Sequence, residues 1–395
     1  MRALRLPAFV ALAAVLVPVL SAQTVPERGG PATFDVAAWN IEHFGDPGFP
    51  PSDATQIANV EAVIAQAGID LWAVQEIGSQ DAWSELLLAL QDDGYSGRLG
   101  EETFGFQIRL AFVFDPSVVQ VIGTRHILSG GNFGGRRPFE MQARVTVEGE
   151  TRTVRVISLH AKAGTGSDDY ADRQAGAVEL KAYIDDQVSR GEEVILLGDF
   201  NDLLVGSTRG GGLASPYDVF VQDAGYVAAT LPLQQAGLNT FCRSSTCASG
   251  DTRDHLLFTA GLSDAYVDGS ADRFGEVLDI DNYVNSTSDH VPVLARFSFL
   301  ATDAAGDPDA GVALLPSAPN PFRAGTRLRF RLDAPGDVRL DVFDALGRRV
   351  ASLAGAFGGG EHAVPLRGEG LAPGVYVVRL QAAGGVQTQR LVRAE

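Results

Sequence analysis

Val194-Ile195-Leu196-Leu197-Gly198-Asp199-Phe200-Asn201-Asp202 decides how the 395-residue chain is read. Four apolar residues run unbroken into a glycine, and a carboxylate and an amide follow at Asp199 and Asn201. An apolar run without alternation reads as a strand buried on both faces. Gly198 lets the chain leave it sharply at little steric cost. The strand end then sets Asp199 and Asn201 on the rim of a sheet, where open α/β sheets carry their sites. Taken alone, the stretch reads equally well as a strand closed by an Asx turn. The other polar strand ends along the chain decide between the two.

Upstream, Phe34 to Asn40 reads as a strand that ends on Asn40-Ile41-Glu42-His43. Asp53 to Gly68 reads as an amphipathic helix, with Ile57, Val60, Ile64 and Ala67 on one face and Gly68 as its stop. Ile69 to Gln75 is the next strand and runs into Glu76; Asp81 to Asp92 is a second helix, with Trp83, Leu86, Leu87 and Leu90 on one side. Arg109 to Asp115 is a strand. Phe139 to His160 makes two strands around Gly149, the second ending on Ser158-Leu159-His160. Asp168 to Arg190 is a long helix with Tyr170 and Arg173 near its start. Downstream, a glycine-rich loop at 206–212 precedes a short helix near Ser215 to Asp223, and Asp254-His255 opens a strand through Phe258. Ser288-Asp289-His290 precedes a last strand, Val291 to Phe299. Strands and helices interleave, with several strands consecutive. Two stacked sheets flanked by helices accommodate that pattern.

The net charge of −18 is unevenly spread. Residues 316–395 hold 11 basic and 7 acidic side chains, a net +4, whereas residues 23–315 hold 42 acidic and 18 basic, a net −24. Opposite signs point to two modules with different jobs. The acidic body argues against tight, passive nucleic-acid binding, but not against turnover of a polyanion through a metal and a few local arginines. Arg2 and Arg5 precede an apolar run from Leu6 to Leu20 and then Ser21-Ala22. This has the form of a secretory signal over 1–22, cleaved after Ala22, followed by a leader over 23–32. The run is short and holds Pro7 and Pro18, so no stable membrane insertion is expected. Cys242 and Cys247 are the only cysteines. In an exported chain a local disulfide is the expected outcome, and a two-ligand zinc site is not.

Beyond a body at 33–300, residues 301–314 read as a linker rich in Ala, Asp and Gly. Alternating strands follow at Arg327 to Leu332, Val338 to Phe343 and Gly374 to Leu380, separated by turn pairs such as Pro335-Gly336 and Pro373-Gly374. They read as a small all-β, Ig-like sandwich over 315–395.

The polar strand ends of the body are Asn40 and Glu42, Glu76, His160, Asp199 and Asn201, Asp254, and Asp289 with His290. Carboxylate and amide oxygens without thiolates favour Mg²⁺, Mn²⁺ or Ca²⁺ over zinc. Histidines beside carboxylates can hold charge near neutral pH. Phosphodiester hydrolysis needs such a set: charge to neutralise phosphate, a carboxylate to ready water, and donors to the transition state. His43 and His255 flank these groups and read as supporting residues; His126 and His362 read as ordinary surface residues. Arg136-Arg137-Pro138 reads either as a contact to substrate phosphate or as a structural pair.

These residues resemble the endonuclease/exonuclease/phosphatase superfamily. Five motifs occur in its order: Trp39-Asn40-Ile41-Glu42, Val74-Gln75-Glu76, Ser158-Leu159-His160, Gly198-Asp199-Phe200-Asn201 and Ser288-Asp289-His290, with Asp254 between the last two. Each is weak alone; the ordered set is specific. The resemblance implies a four-layer α/β/β/α sandwich. It implies that Glu76, with Asn40, Glu42 and Asp289, holds a metal, and that Asp199, helped by Asn201, readies water. His290, backed by Asp254, and His160 would meet the scissile phosphate. Tyr170 and Arg173, and less directly Arg109, would touch substrate. The chain departs from the pancreatic deoxyribonuclease subgroup near Arg109, where Gln107 and Ile108 replace its glutamate, so no base preference carries over.

The tail resembles the C-terminal sorting domain of type IX secretion at Ala318-Pro319-Asn320-Pro321-Phe322, at Val342 to Arg348 and at Leu371 to Tyr376. That resemblance implies type IX machinery as a partner and a protein secreted by, or held on the outside of, a bacterium with an outer membrane. Read without it, the tail is an Ig-like binding module. The expected activity is a secreted, metal-dependent phosphodiesterase, foremost a monomeric nuclease acting on extracellular DNA or RNA. A lipid phosphodiesterase or phosphatase is the alternative within the class, although no exposed aromatic element for membranes is evident. A surface binding protein without catalysis is the alternative outside it.

Overall fold

The computed structural model describes residues 24–48, 53–102, 108–299, 312–320, 322–344, 349–372, 374–382 and 385–394. The signal-like segment 1–22 and residues 301–311 of the linker lie outside them.

In the body, strands run at Phe34–Phe44 (β1), Leu71–Ile77 (β2), Ser96–Leu99 (β3), Arg109–Phe114 (β4), Val119–His126 (β5), Phe139–Val147 (β6) and Glu150–His160 (β7). Others run at Glu193–Asp199 (β8), Tyr226–Ala228 (β9), Phe241–Cys242 (β10), Gly250–Asp251 (β11), Asp254–Thr259 (β12), Asp272–Arg273 (β13) and Val293–Phe297 (β14). The main helices are Asp53–Ala67 (α1), Gln80–Leu90 (α2) and Ser167–Ser189 (α3). One six-stranded sheet has the order β13-β14-β1-β2-β4-β3, and another β5-β6-β7-β8-β12-β9.

Alternation along β1 shows how the layers form. Phe34, Val36 and Ala38 pack into a core shared with Met141, Leu197 and Leu256 of the second sheet. Ala37, Trp39 and Ile41 point the other way, onto Val60 and Ile64 of α1 and Leu86 of α2. On the far side of the second sheet, Ile157, Leu159 and Leu196 pack against Ala177, Leu180 and Ile184 of α3. The expected α/β sandwich, two sheets with helices on their outer faces, is therefore present. No described helix is long and apolar enough to cross a membrane.

The body strands absent from the sequence reading are β3, β5 and β9 and the two-residue β10, β11 and β13. β5 is the edge of its sheet and half of it is solvent-exposed, so its apolar signal is weak. In the tail, strands run at Val312–Ala318, Gly325–Leu332, Gly336–Asp344, Arg349–Phe357, Gly360–Arg367, Gly374–Ala382 and Gly385–Arg393. They form a three-stranded and a four-stranded sheet around one apolar core that includes Phe330, Leu340 and Val378. The first of them begins inside the stretch read as linker, because Val312 pairs with Leu332 and Leu314 with Phe330.

Candidate active site

The β-ladder places the site. β7 and β8 run parallel with His160 opposite Asp199, and β8 and β12 antiparallel with Asp199 opposite Asp254. Three of the polar strand ends are thus neighbours in one row. In the other sheet Asn40 lies opposite Gln75, and the register then shifts, splaying Glu42 and Glu76 out of the ladder. Gly198 is required by the close approach of β7: a Cβ there would lie 2.0 Å from the Leu159 carbonyl oxygen, and its φ is +139°.

Glu42, His43, Glu76 and Asn201 all hold left-handed backbone, with φ of 41°, 45°, 67° and 51°. Non-glycine residues adopt it at a cost of order 1–3 kcal/mol each, and such strain concentrates at functional sites. The segment carrying Asp289 and His290 is tied to β1 by Ser288 Oγ, which donates to the Asn40 carbonyl at 2.6 Å. Trp39 Nε1 and the Tyr283 hydroxyl both donate to the His290 carbonyl.

A pocket of about 580 Å³ opens here, lined by Glu42, His43, Glu76, His160, Asp199, Asn201, Asp289 and His290 among others. Its acidic side is crowded. Burial and the charges of Asp289 and Glu76 push Glu42 up to about 8, and burial with the Glu76, Asp199 and Asp254 charges also raises Asp289. Asp289 N donates to Glu42 Oε2 at 2.8 Å, and His43 N to Glu76 Oε2 at 3.0 Å. Asn40 sits between the charged groups. Its Oδ1 accepts from Glu42 N at 3.0 Å, and its Nδ2 donates to Glu76 Oε1 at 3.0 Å and Asp199 Oδ2 at 3.1 Å. The NH₂ group thus bridges two carboxylates, and the oxygen keeps a second lone pair.

Asp199 is 1 % exposed. Asn201 holds it twice, with its backbone N on Oδ1 at 2.8 Å and its Nδ2 on Oδ2 at 3.1 Å. Burial, with the Asp254 charge, raises Asp199 above the usual carboxylate range. The two histidines are driven apart. Burial and the charges of Arg136, His290 and His43 hold His160 well below the usual histidine value. Burial alone would lower His290 too, but the charges of Asp254, Asp199 and Asp289 outweigh it and hold His290 well above that value. Its Nδ1 hydrogen-bonds Asp254 Oδ2 at 2.7 Å, leaving Nε2 towards Asp199 and Asp289, 3.8 Å from each. Asp199, Asp254 and His290 also offer ligand atoms within 4.8 Å of one another. The 2.7 Å Nδ1–Oδ2 contact has the length of a charge-assisted hydrogen bond.

The three residues expected to touch substrate do not line the pocket. Arg173 is 1 % exposed and is held by Asp202 at 2.8 Å and by the Lys162 and Gly164 carbonyls, each at 2.8 Å. The Tyr170 hydroxyl donates to the Ala214 carbonyl, and Arg109 pairs with Glu102 at 2.7 Å. The arginines that do line the pocket are Arg136 and Arg253. Arg136 donates to the Ala161 carbonyl at 2.7 Å. Arg253 lies 4.0 Å over the Phe241 ring, which itself packs against His290 with ring centroids 5.2 Å apart. Sequence reasoning missed Arg253 and Phe241; adjacency to Asp254 and Cys242 was their one signal. Cys242 and Cys247 are disulfide-bonded, which closes the loop after Phe241. His43 lines the pocket, whereas His255 is buried, bonded to the Asp202 carbonyl and Thr230, and pushed down by burial to about 4. His126 is half-buried between the Arg137 and Glu101 carbonyls, and His362 bonds the Gly358 carbonyl.

The pattern of the Endonuclease/Exonuclease/phosphatase family matches residues 37–291. None of the curated proteins matches the chain in sequence. Among solved structures, an endonuclease/exonuclease/phosphatase from Beutenbergia cavernae is 16% identical with a TM-score of 0.50, covering 91% of this chain and 100% of that one. A 3′-5′ exonuclease from Neisseria meningitidis is 21% identical with a TM-score of 0.49, covering 67% and 99%. The human Nocturnin catalytic domain is 16% identical with a TM-score of 0.48, covering 68% and 94%. At such identities the likeness is one of fold.

Proposed function

The chain belongs to the endonuclease/exonuclease/phosphatase family and so is a metal-dependent phosphodiester hydrolase, and we propose that it is an exported nuclease cleaving extracellular DNA or RNA. The observation that carries the reading is one pocket lined by both acidic and cationic groups around a held carboxylate. Glu42, Glu76 and Asp289 are its acidic wall and His290, Arg136 and Arg253 its cationic lining, with Asp199 3.8 Å from His290 Nε2 and joined to Glu76 through the Asn40 amide.

The acidic wall fits a divalent cation. Its donors are hard oxygens, and burial first, then the Asp289 and Glu76 charges, raise Glu42 to about 8, a cost that a bound cation offsets. Glu76, Glu42 and Asp289 would hold Mg²⁺, or Mn²⁺ or Ca²⁺. Bound there, such an ion neutralises phosphate charge and makes water more acidic. Asp199 is the base: raised by burial and aimed by Asn201 and Asn40, it takes the proton of the attacking water. His290, kept as imidazolium by Asp254, donates from Nε2 to the charge that develops on phosphorus-bound oxygen. His160, kept neutral, lies 3.6 Å from both Glu76 and Asp199 and orients the phosphate between them. Two like side chains set to opposite protonation states are the usual basis for dividing acid and base work. Arg136 and Arg253 take over the phosphate contacts expected of Tyr170 and Arg173.

Export rests on the segment 1–22 and the tail motifs, which support secretion through a type IX route with the tail as its address. Incubating the purified protein with plasmid, linear DNA and RNA, with Mg²⁺ and with EDTA, tests the substrate. Cleavage of at least one nucleic acid that EDTA abolishes is expected. Intact nucleic acids beside turnover of sphingomyelin or a phosphate monoester would move the substrate to the lipid or phosphatase branch.

A further inference from the structure

Three arginines converge in the C-terminal module, at a cleft of about 450 Å³ lined by Arg323, Arg367 and Arg393 with Ala324, Gly368 and Glu369. They come from three distant segments, and backbone hydrogen bonds hold those segments side by side. Phe322 N donates to the Val392 carbonyl at 2.9 Å and Ala394 N to the Phe322 carbonyl at 2.8 Å. Gly368 N donates to the Ala324 carbonyl at 2.9 Å. A Cβ on Gly368 would lie 2.6 Å from the Arg323 carbonyl oxygen, so the approach needs glycine.

Four other arginines of the module are neutralised: Arg329 by Glu361, Arg331 by Asp333, and Arg339 and Arg349 by Asp341. Among the described residues, Arg323, Arg367 and Arg393 make no such pair. Arg393 Nε is buried without a hydrogen-bond partner. A buried donor left unmade is costly, and water, an ion or a ligand entering the cleft satisfies it. Gathering three guanidinium groups costs repulsion that an anion relieves, and their forked donors match a phosphate.

We infer that this cleft is a binding site for a phosphate monoester carried on a small polar group, such as a sugar or lipid headgroup. Its volume falls in the range of small-molecule sites and exceeds a bare phosphate. Glu369 at its edge can accept from hydroxyls of that group. Among the described residues no aromatic side chain lines it, so the stacking that single-stranded nucleic acids use has no platform there. The site is separate from the catalytic pocket and does not depend on the substrate proposed there.

Calorimetry on the full chain in EDTA tests this, with glycerol phosphate, inorganic phosphate, phosphatidylcholine vesicles doped with phosphatidic acid, and a short single-stranded DNA as probes. The variant is Arg323→Gln/Arg367→Gln, whose side chains are exposed and away from the catalytic pocket. Glycerol phosphate should bind the wild type, and the variant should bind it about 10- to 100-fold more weakly, the loss expected for charge-assisted hydrogen bonds. Nuclease activity should not change. Binding of the vesicles by the wild type alone would identify a membrane-borne headgroup, and binding of soluble phosphate alone a free ligand. Equal binding by wild type and variant, or none by either, overturns the site. Variant-sensitive binding of DNA with none of glycerol phosphate overturns the ligand class. Arg367→Lys keeps the charge without the fork and should fall between the two.

Discussion

Arg173→Met tests whether this arginine supports the site or touches substrate. Its guanidinium and the Asp202 carboxylate are both fully buried and 2.8 Å apart. Removing the cation leaves Asp202 with neutral donors only: Ser207 Oγ at 2.9 Å, Thr208 N at 2.6 Å and Leu203 N at 2.9 Å. The Lys162 and Gly164 carbonyls lose their shared donor as well. Breaking a buried pair from one side costs about 3–5 kcal/mol. At roughly 2–4 °C per kcal/mol for a body of this size, the melting temperature should fall by about 10 °C. Adding Asp202→Asn removes the stranded charge while its amide oxygen still accepts from Thr208 and Leu203, so the double variant should be more stable than Arg173→Met alone. Thermal unfolding by circular dichroism reads the stability, and kinetics well below the transition read KM. An unchanged KM with the large loss of stability is expected. Unchanged stability with a KM raised tenfold or more would refute the reasoning and return Arg173 to the substrate.

Burial holds His255 near 4, below the roughly 6.5 of an unfolded chain. The unfolded state therefore binds more protons between these values, so this residue's stabilisation is present above about 6.5 and lost as pH falls towards 4. His255→Gln should flatten the pH dependence of the melting temperature across that window; an unaltered slope would show that His255 is not held neutral. Cys242→Ser/Cys247→Ser should cost about 2 kcal/mol, the loop-closure value for so short a loop. It should also weaken substrate binding, since the loop carries Phe241 beneath Arg253; equal stability and KM would remove that role. Mass spectrometry of the protein from its native host should find a start near Gln23 and loss of much of 315–395, and a full-length cytosolic chain would contradict export.

Much of the site was legible because apolar runs that end abruptly on polar residues mark strand ends at a sheet rim. Glu42, Glu76, His160, Asp199, Asn201, Asp254, Asp289 and His290 all signal this way, and β-pairing then brings them together. Arg253 and Phe241 were not legible because the loop from 238 to 253 has no apolar period to orient it. Arg173 misled for another reason. A charged residue in the second turn of a helix has the same pattern whether it faces a pocket or a buried carboxylate. Only the position of Asp202, three residues beyond the end of β8, distinguishes them. The tail strand 349–357 is rich in Ala, and both it and 360–367 are largely exposed, so neither shows the buried apolar face that revealed their neighbours.

The division of labour between Glu76 and Asp199 is the centre of the account, and a Mg²⁺ series tests it most directly. The measurement is kcat/KM on bis(p-nitrophenyl) phosphate for wild type, Glu76→Gln and Asp199→Asn at rising Mg²⁺. Glu76→Gln removes one charge from the acidic wall, so its defect should shrink as Mg²⁺ rises. Asp199→Asn removes the group that takes the water's proton, a loss of about 10²–10⁴-fold that added Mg²⁺ should not restore. Activity of Asp199→Asn within a few-fold of wild type, or its recovery at high Mg²⁺, would contradict the assignment of Asp199 as base.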